Sequence, residues 1–348
     1  MRKTMNNKPS KKKRKVLSQE ERLRRKEQRD QKKEIRDVMS RIGFTRLNGI
    51  DGKEFVYDGR TSELDDIFIC ENIILLTEYT IGEPHILKKK IIYDKINNNT
   101  SAFIKYLIDN QIFASFNNIY DNSICNKYTI NQLRVKILYC SKKSISQEHK
   151  DSVSNVIYFD YHIVKYFKSL TSVIKLSTRY EFMDFLGIKE NEWGENILDS
   201  SVVATNCFSG HILPEEKSSF KEGYKIISFY IDAASLLKRA YVLRQEGWRK
   251  KANVGYYQRM LDSKKIVGMR RYLSTEGRVF INNIITTISE NDIKMYNDEN
   301  RKEEIVIDEN GNFVGDNKRT NVTPAYVEIL NKCNIIGIID GQHRTFAY

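Results

Sequence analysis

No apolar run in these 348 residues approaches ~18 residues, so no membrane-spanning helix is expected. No apolar stretch near the N-terminus suggests export. Cysteine is sparse and scattered: Cys70, Cys125, Cys140, Cys207 and Cys333 form no CxxC pair, and their odd number argues against a disulfide framework or a zinc knuckle. His211 and Cys207 have no second pair at zinc spacing. These absences point to an intracellular chain in a reducing compartment, and the cytoplasm is the simplest assignment. Net positive charge is also nearly missing from most of the sequence, because basic and acidic residues almost balance after residue 36. The net charge is +13, but residues 1 to 36 hold 16 Lys and Arg against 5 Glu and Asp, which leaves about +2 for the rest.

The basic segment has two parts. Lys8-Pro9-Ser10-Lys11-Lys12-Lys13-Arg14-Lys15-Val16 is too charged to bury and is expected to be disordered in isolation. From Ser18 to Ile42 the pattern is helical: Ser18 and Glu21 fit a capping box, no Pro or Gly intervenes before Gly43, and charges recur at i, i+3 and i+4. Together, residues 1–42 read either as an arm attracted to nucleic-acid phosphates or as a solubilising extension.

Carboxylates then gather around a predicted β-hairpin. The apolar runs Ile67-Phe68-Ile69 and Ile73-Ile74-Leu75-Leu76 are broken at Cys70-Glu71-Asn72, with Asp65 and Asp66 entering one strand and Glu78 leaving the other. Acidic side chains converging at one sheet edge suit a hard divalent cation, which can activate water and stabilise charge on a scissile phosphate. This pattern resembles PD-(D/E)XK, or restriction-endonuclease-like, nucleases, in which an Asp precedes a hairpin ending in Glu-x-Lys. The resemblance implies catalytic roles for Asp65, Asp66 and Glu78, and a Mg²⁺ set of Glu63, Asp65 and Glu78. Thr80 occupies the usual lysine position. Among Lys88-Lys89-Lys90, Lys89 is the favoured source of a migrated ammonium. Thr80 also leaves open a nuclease-like fold that binds DNA without cutting it.

A second site is expected at the far end, where the apolar run Ile335-Ile336-Gly337-Ile338-Ile339 feeds into Asp340-Gly341-Gln342-His343-Arg344. A strand, a glycine turn and a helix start can form a phosphate-binding corner, with His343 and Arg344 as charged donors. The pentapeptide resembles the signature of DGQHR-domain proteins, whose DndB-like members are tied to DNA phosphorothioation, and the nucleotide-binding box of the ParB and sulfiredoxin superfamily. Tyr257-Gln258-Arg259, Met269-Arg270-Arg271-Tyr272-Leu273 and Val279-Phe280-Ile281-Asn282-Asn283-Ile284-Ile285 follow the family's order upstream. The resemblance implies phosphate or nucleotide contacts from Asp340, Gly341, Gln342, His343 and Arg344, with Gln258 and Arg259 nearby. The group this implies is ATP or another nucleotide, or a DNA phosphate. Because residues after Arg344 make barely one helical turn, a truncated terminal domain is expected.

The resulting organisation is α/β. A restriction-endonuclease-like mixed sheet flanked by helices spans 43–188, a linker 189–222, and a partial ParB/sulfiredoxin-like domain 223–348. Glu54 to Tyr57, Arg134 to Tyr139 and Val153 to Phe159 are predicted strands; Tyr161 to Leu170 and Thr178 to Leu186 are predicted helices whose aromatics form core. Tyr224 to Ile231 is expected to be a strand and Ala233 to Arg244 a helix. The function implied is DNA-directed work in a modification or phage-defence system: a Mg²⁺-dependent endodeoxyribonuclease coupled to a nucleotide- or DNA-sensing domain. A non-catalytic DNA-binding regulator and a nucleotide hydrolase centred on Arg344 are the alternatives. The implied partners are DNA and a nucleotide, with a homo-oligomer as a further option, and no membrane.

Overall fold

The computed structural model describes residues 18–82, 85–194, 206–213, 225–242, 260–277, 279–306, 314, 323–330 and 333–348. Ser18 opens helix α1 (Gln19–Ile42): its hydroxyl accepts the Glu21 N–H at 3.1 Å, and the Glu21 carboxylate accepts the Ser18 N–H at 2.9 Å. Residues 18–30 are exposed, whereas Gln31, Ile35, Val38, Met39 and Ile42 are buried at helical spacing. The second half of α1 is therefore part of the folded core and not a detached arm.

The first sheet grows beneath that helix. Strands β1 (Thr45–Arg46), β4 (Asp66–Cys70) and β5 (Ile73–Thr80) run antiparallel in turn, while β6 (Arg134–Ser141) and β7 (Ile157–Asp160) add in parallel, giving the order β1-β4-β5-β6-β7. Strands β2 (Glu54–Tyr57) and β3 (Arg60–Glu63) form a separate hairpin, so residues 54–57 do not open the main sheet. The parallel β5–β6 connection carries helices α2 (Ile86–Asn98), α3 (Thr100–Asp109) and α4 (Ala114–Ile119). Helix α5 (Gln147–Ser152) precedes β7, and α6 (Tyr161–Ile174) and α7 (Thr178–Phe185) follow it.

Both sheet faces are covered, which is why β4 and β5 read as continuous apolar runs without alternation. On one face Phe68, Cys70, Ile73 and Leu75 meet Ile35 and Met39 of α1 together with Phe167 and Phe182. On the other face Ile67, Ile69, Ile74 and Leu76 meet Ile92, Phe103 and Leu107. Each such side chain contributes roughly 1.5–3 kcal/mol by leaving water. Of the aromatics of α6 and α7, Tyr166, Phe167 and Phe182 are core and Tyr180 and Phe185 pack against it, as expected from their spacing, whereas the half-buried Tyr161 ring lies under Lys142 and Lys165.

Polar clips fix the strand ends. The Gln31 Nε2 group donates to Thr80 O at 3.1 Å and Cys140 O at 3.2 Å, joining α1 to the ends of β5 and β6. At the other end of the hairpin, Glu71 takes a positive φ of 52° in the β4–β5 turn. Its neighbour Asn72 is fully buried, donating to Gln132 O (2.7 Å) and Glu192 O (2.8 Å) and accepting the Gly194 N–H (3.0 Å).

The later region contains two small sheets. Strands β8 (Asn206–Ile212), β9 (Ile227–Phe229), β12 (Ile293–Tyr296) and β13 (Thr323–Ile329) form one in the order β12-β13-β8-β9. The stretch read as a linker thus supplies a central strand. There, Gly210 allows close approach of β9, because a Cβ would lie 2.5 Å from Ser228 O. Strands β10 (Ala240–Val242), β11 (Ile285–Ile288) and β14 (Ile336–Asp340) form the other sheet, in the order β10-β14-β11. Helix α8 (Ala233–Arg239) is shorter than its sequence predicts, because residues 240–242 pair with β14 instead of continuing it. Of the stretch Val279 to Ile285 only Ile285 enters a strand, and Val279 and Ile281 are exposed. Helix α9 (Ser263–Glu276) contains Met269 to Leu273, and β14 turns through Gly341 into the short α10 (Gln342–Thr345). Ile336 and Ile338 share the core that contains Phe182, and Asn334 donates to Tyr180 O at 3.1 Å. Among the described residues no helix is long and apolar enough to cross a membrane.

Candidate active site on the first sheet

The hairpin separates its carboxylates. Asp66 is completely buried and turned toward α1, where Arg36 binds it twice, Nε to Oδ2 at 2.7 Å and Nη2 to Oδ1 at 3.0 Å. Arg46 Nε also binds Asp66 Oδ1, and the Tyr79 hydroxyl donates to Oδ2 at 2.8 Å. Every part of that carboxylate is occupied by a donor. Burial together with the adjacent Asp66 charge holds the Tyr79 phenol well above its ordinary range.

Glu78 lies on the other side, facing α2. It is 7 % exposed, and among the described residues its single close cation is Lys89, whose Nζ contacts Oε1 and donates to Glu63 O at 3.0 Å. Burial pushes the Glu78 carboxyl up to about 7; Lys89 pulls it back only in part, and the charges of Asp65 and Glu63 push it further. Asp65 sits at the strand entry between these two environments. Its Oδ2 accepts the Tyr79 N–H at 2.8 Å and its Oδ1 accepts from Lys32 at 2.8 Å.

Lys32 also binds Asp51 at 2.9 Å and lies 5.6 Å from the centre of the Tyr79 ring. Burial alone would lower the Lys32 ammonium, but the hydrogen bonds and charges of Asp65 and Asp51 leave it raised. Burial would raise the Asp51 carboxyl, yet Lys32 and Arg36 hold it below its ordinary value. Lys32, Arg36, Arg46, Asp51 and Tyr79 did not stand out in the sequence. The available signal was the i, i+4 spacing of Lys32 and Arg36 ahead of two adjacent aspartates, which needed cations if buried.

The arrangement brings Glu78, Lys89 and the Glu63 backbone together, with Asp65 in electrostatic reach, and directs Asp66 elsewhere. Thr80 provides its carbonyl to Gln31. Beside Lys89 lies a cleft of about 310 Å³ between the β2–β3 hairpin and α2, lined by Arg60, Ser62, Glu63, Lys88 and Lys89 among others. Among the described residues no three His, Cys, Asp or Glu side chains gather to hold a metal ion by themselves. Mg²⁺ usually takes one or two carboxylates and completes its shell with water and substrate phosphate, so Asp65 and Glu78 fit the chemistry of such an ion.

In the terminal region, Gly341 has φ 94° and a Cβ there would meet Ile284 Cγ1 at 3.1 Å, so the turn needs glycine. Arg344 Nη2 binds Asp340 Oδ2 at 3.0 Å, with the arginine mostly buried and the aspartate exposed. His343 Nε2 accepts the Asp262 N–H at 3.0 Å and thereby faces the start of α9. Gln342 is buried. Gln258 and Arg259 lie outside the described residues, as do the basic cluster at 8–15 and Trp248-Arg249-Lys250-Lys251.

Comparison of the chain with models of protein families, with curated proteins and with solved structures found no match.

Proposed function

We propose that the chain is a DNA-directed protein of a modification or phage-defence system, and that its first sheet carries a Mg²⁺-dependent phosphodiester-cleaving site resembling that of PD-(D/E)XK nucleases. The observation that carries this reading is the contact of Lys89, from α2, with the buried Glu78 at the end of β5, beside Asp65 at the start of β4. The order helix, three antiparallel strands, helices and a parallel strand supports it. Asp65 and Glu78 would hold the ion, which supplies charge stabilisation at the scissile phosphate and activation of water. Lys89 supplies the ammonium that Thr80 cannot, positioned to offset negative charge developing on the phosphate. Asp66 organises the site by anchoring α1 and β1 through Arg36 and Arg46. We assign sensing of nucleotide or DNA phosphate to residues 340–344.

Cleavage of supercoiled and linear DNA with Mg²⁺ or Mn²⁺ tests this assignment. Wild type is expected to cut, and Asp65→Ala, Glu78→Ala and Lys89→Ala to lose about 100-fold or more in rate while remaining folded. One observation favours a second reading: Lys32 already contacts Asp65 and Lys89 already contacts Glu78, in the places where a metal ion would bind. A wild-type protein that binds DNA with salt sensitivity but never cuts it is a non-catalytic regulator.

A further inference from the structure

Gly268 sits in the middle of α9, where glycine is the least helix-favouring residue short of proline. Packing does not demand it, because a Cβ at this position would meet nothing within 4 Å. Its neighbours one turn away are Lys264, Lys265, Arg271 and Tyr272, all at i±3 or i±4 and hence on one helical face. Among the described residues none of these three cations pairs with a carboxylate. From this face Gly268 and Tyr272 line a trough of about 310 Å³ together with Met269, Val279, Phe280, Ile281 and Asn282, and the three cations flank it on the same helix. Tyr272 and Phe280 are stacked, with centres 5.8 Å apart and planes 17° apart. Tyr348 fixes Phe280 from the edge, its hydroxyl accepting the Phe280 N–H at 3.2 Å. Tyr272 stays 41 % exposed and Ile281 94 % exposed, an apolar display that folding alone does not account for.

We propose that this trough receives an unpaired base of single-stranded DNA, which stacks against the face of Tyr272 that Phe280 leaves uncovered, over the open backbone of Gly268, while Lys264, Lys265 and Arg271 meet the flanking phosphates. The volume lies at the small end for ligand clefts and suits one ring system. Aromatic faces bounded by unpaired cations are the chemistry of single-strand binding, because every base has a π-face and every linkage a negative charge. An apolar peptide would gain nothing from the three cations. The choice of DNA rests on the reading of the first sheet as DNA-directed, but the trough is a separate site.

The test is fluorescence anisotropy of a labelled 12-nucleotide thymidine oligomer with the full chain in EDTA, beside a duplex of the same length. Tyr272→Ala and Gly268→Leu are each expected to weaken single-strand binding about tenfold or more, with Tyr272→Phe restoring it and duplex binding little changed. Gly268→Leu fills the trough at a position with room for a side chain, so its unfolding midpoint should not fall. Arg271→Ala should reduce the salt dependence by about one counterion. Single-strand binding that is absent in wild type, or unchanged in both Gly268→Leu and Tyr272→Ala, overturns the proposal. So does equal loss on duplex, tighter binding of a uridine oligomer, or displacement of the thymidine oligomer by an acidic apolar peptide. The two readings fail separately. EDTA prevents cutting, so base binding lost in Gly268→Leu stands even if wild type never cleaves, and cleavage lost in Glu78→Ala stands even if Gly268→Leu binds normally.

Discussion

Asp66 and Glu78 are buried carboxylates on adjacent strands, yet their surroundings differ. Asp66 has two arginines and a tyrosine hydroxyl as donors, whereas Glu78 has one lysine and two neighbouring negative charges. A carboxylate saturated with donors holds structure together. A carboxylate left short of donors in a dry site titrates near neutrality and has capacity for an incoming cation. On the function proposed above, the chemistry falls on the α2 side of the sheet and the mechanical role on the α1 side.

The sharpest way to break that contrast is Asp66→Ala. It removes the carboxylate that Arg36 and Arg46 share and leaves Arg36 only its contact with Asp51; because both arginines also retain some solvent contact, the loss should be about 3 kcal/mol, near the lower end for a buried pair. Urea denaturation measures it; a loss below about 1 kcal/mol would mean the cluster is no anchor.

Glu78 predicts a pH effect of comparable size and opposite meaning. Its folded value of about 7 lies above its ordinary 4.5, so between those values the folded protein keeps a proton that the unfolded chain releases. In metal-free protein the stabilising contribution is therefore present below pH 4.5 and lost as pH rises through about 7, on the order of 3 kcal/mol in total. Glu78→Gln should remove this slope in denaturation curves measured from pH 4 to pH 8. An unchanged slope would assign the titration to another group.

The smallest expected effects concern α1 itself. Gln31→Leu deletes two hydrogen bonds to the strand-end carbonyls but preserves apolar bulk, and about 1–2 kcal/mol should be lost. Ser18→Ala, in the exposed first half of α1, should cost less and only fray that end, as read by hydrogen exchange.

Much of the first region was legible because its signals are local. Two apolar runs broken at Glu71-Asn72 define a hairpin, and the charges at its ends place Asp65 and Glu78. The partners of those charges were not legible. Lys32 and Arg36 look like any solvated helical cations, and only a contact across some thirty residues reveals what they neutralise. The later region misled for a related reason. Residues 233–244 favour helix, but Arg239 is buried, with Nη1 donating to Ser235 O at 3.0 Å and Nε to Leu330 O at 3.2 Å, and pairing with β14 takes over from Ala240. Tertiary pairing overrides propensity there.

Asn72 sets an order of events during synthesis. The amide that closes the β4–β5 turn finds its partners 60, 120 and 122 residues further along the chain. While the ribosome is still making residues 73 to 191, the hairpin can pair, but its buried polar tip gains only the Gln132 carbonyl and still lacks Glu192 O and the Gly194 N–H. Closing loops of that length is slow relative to forming local contacts, so the turn should lock late, after α7 has arrived. A nascent chain halted before Glu192 should therefore hold the carboxylate site in a looser and more protease-sensitive form than one extended a few residues past Gly194.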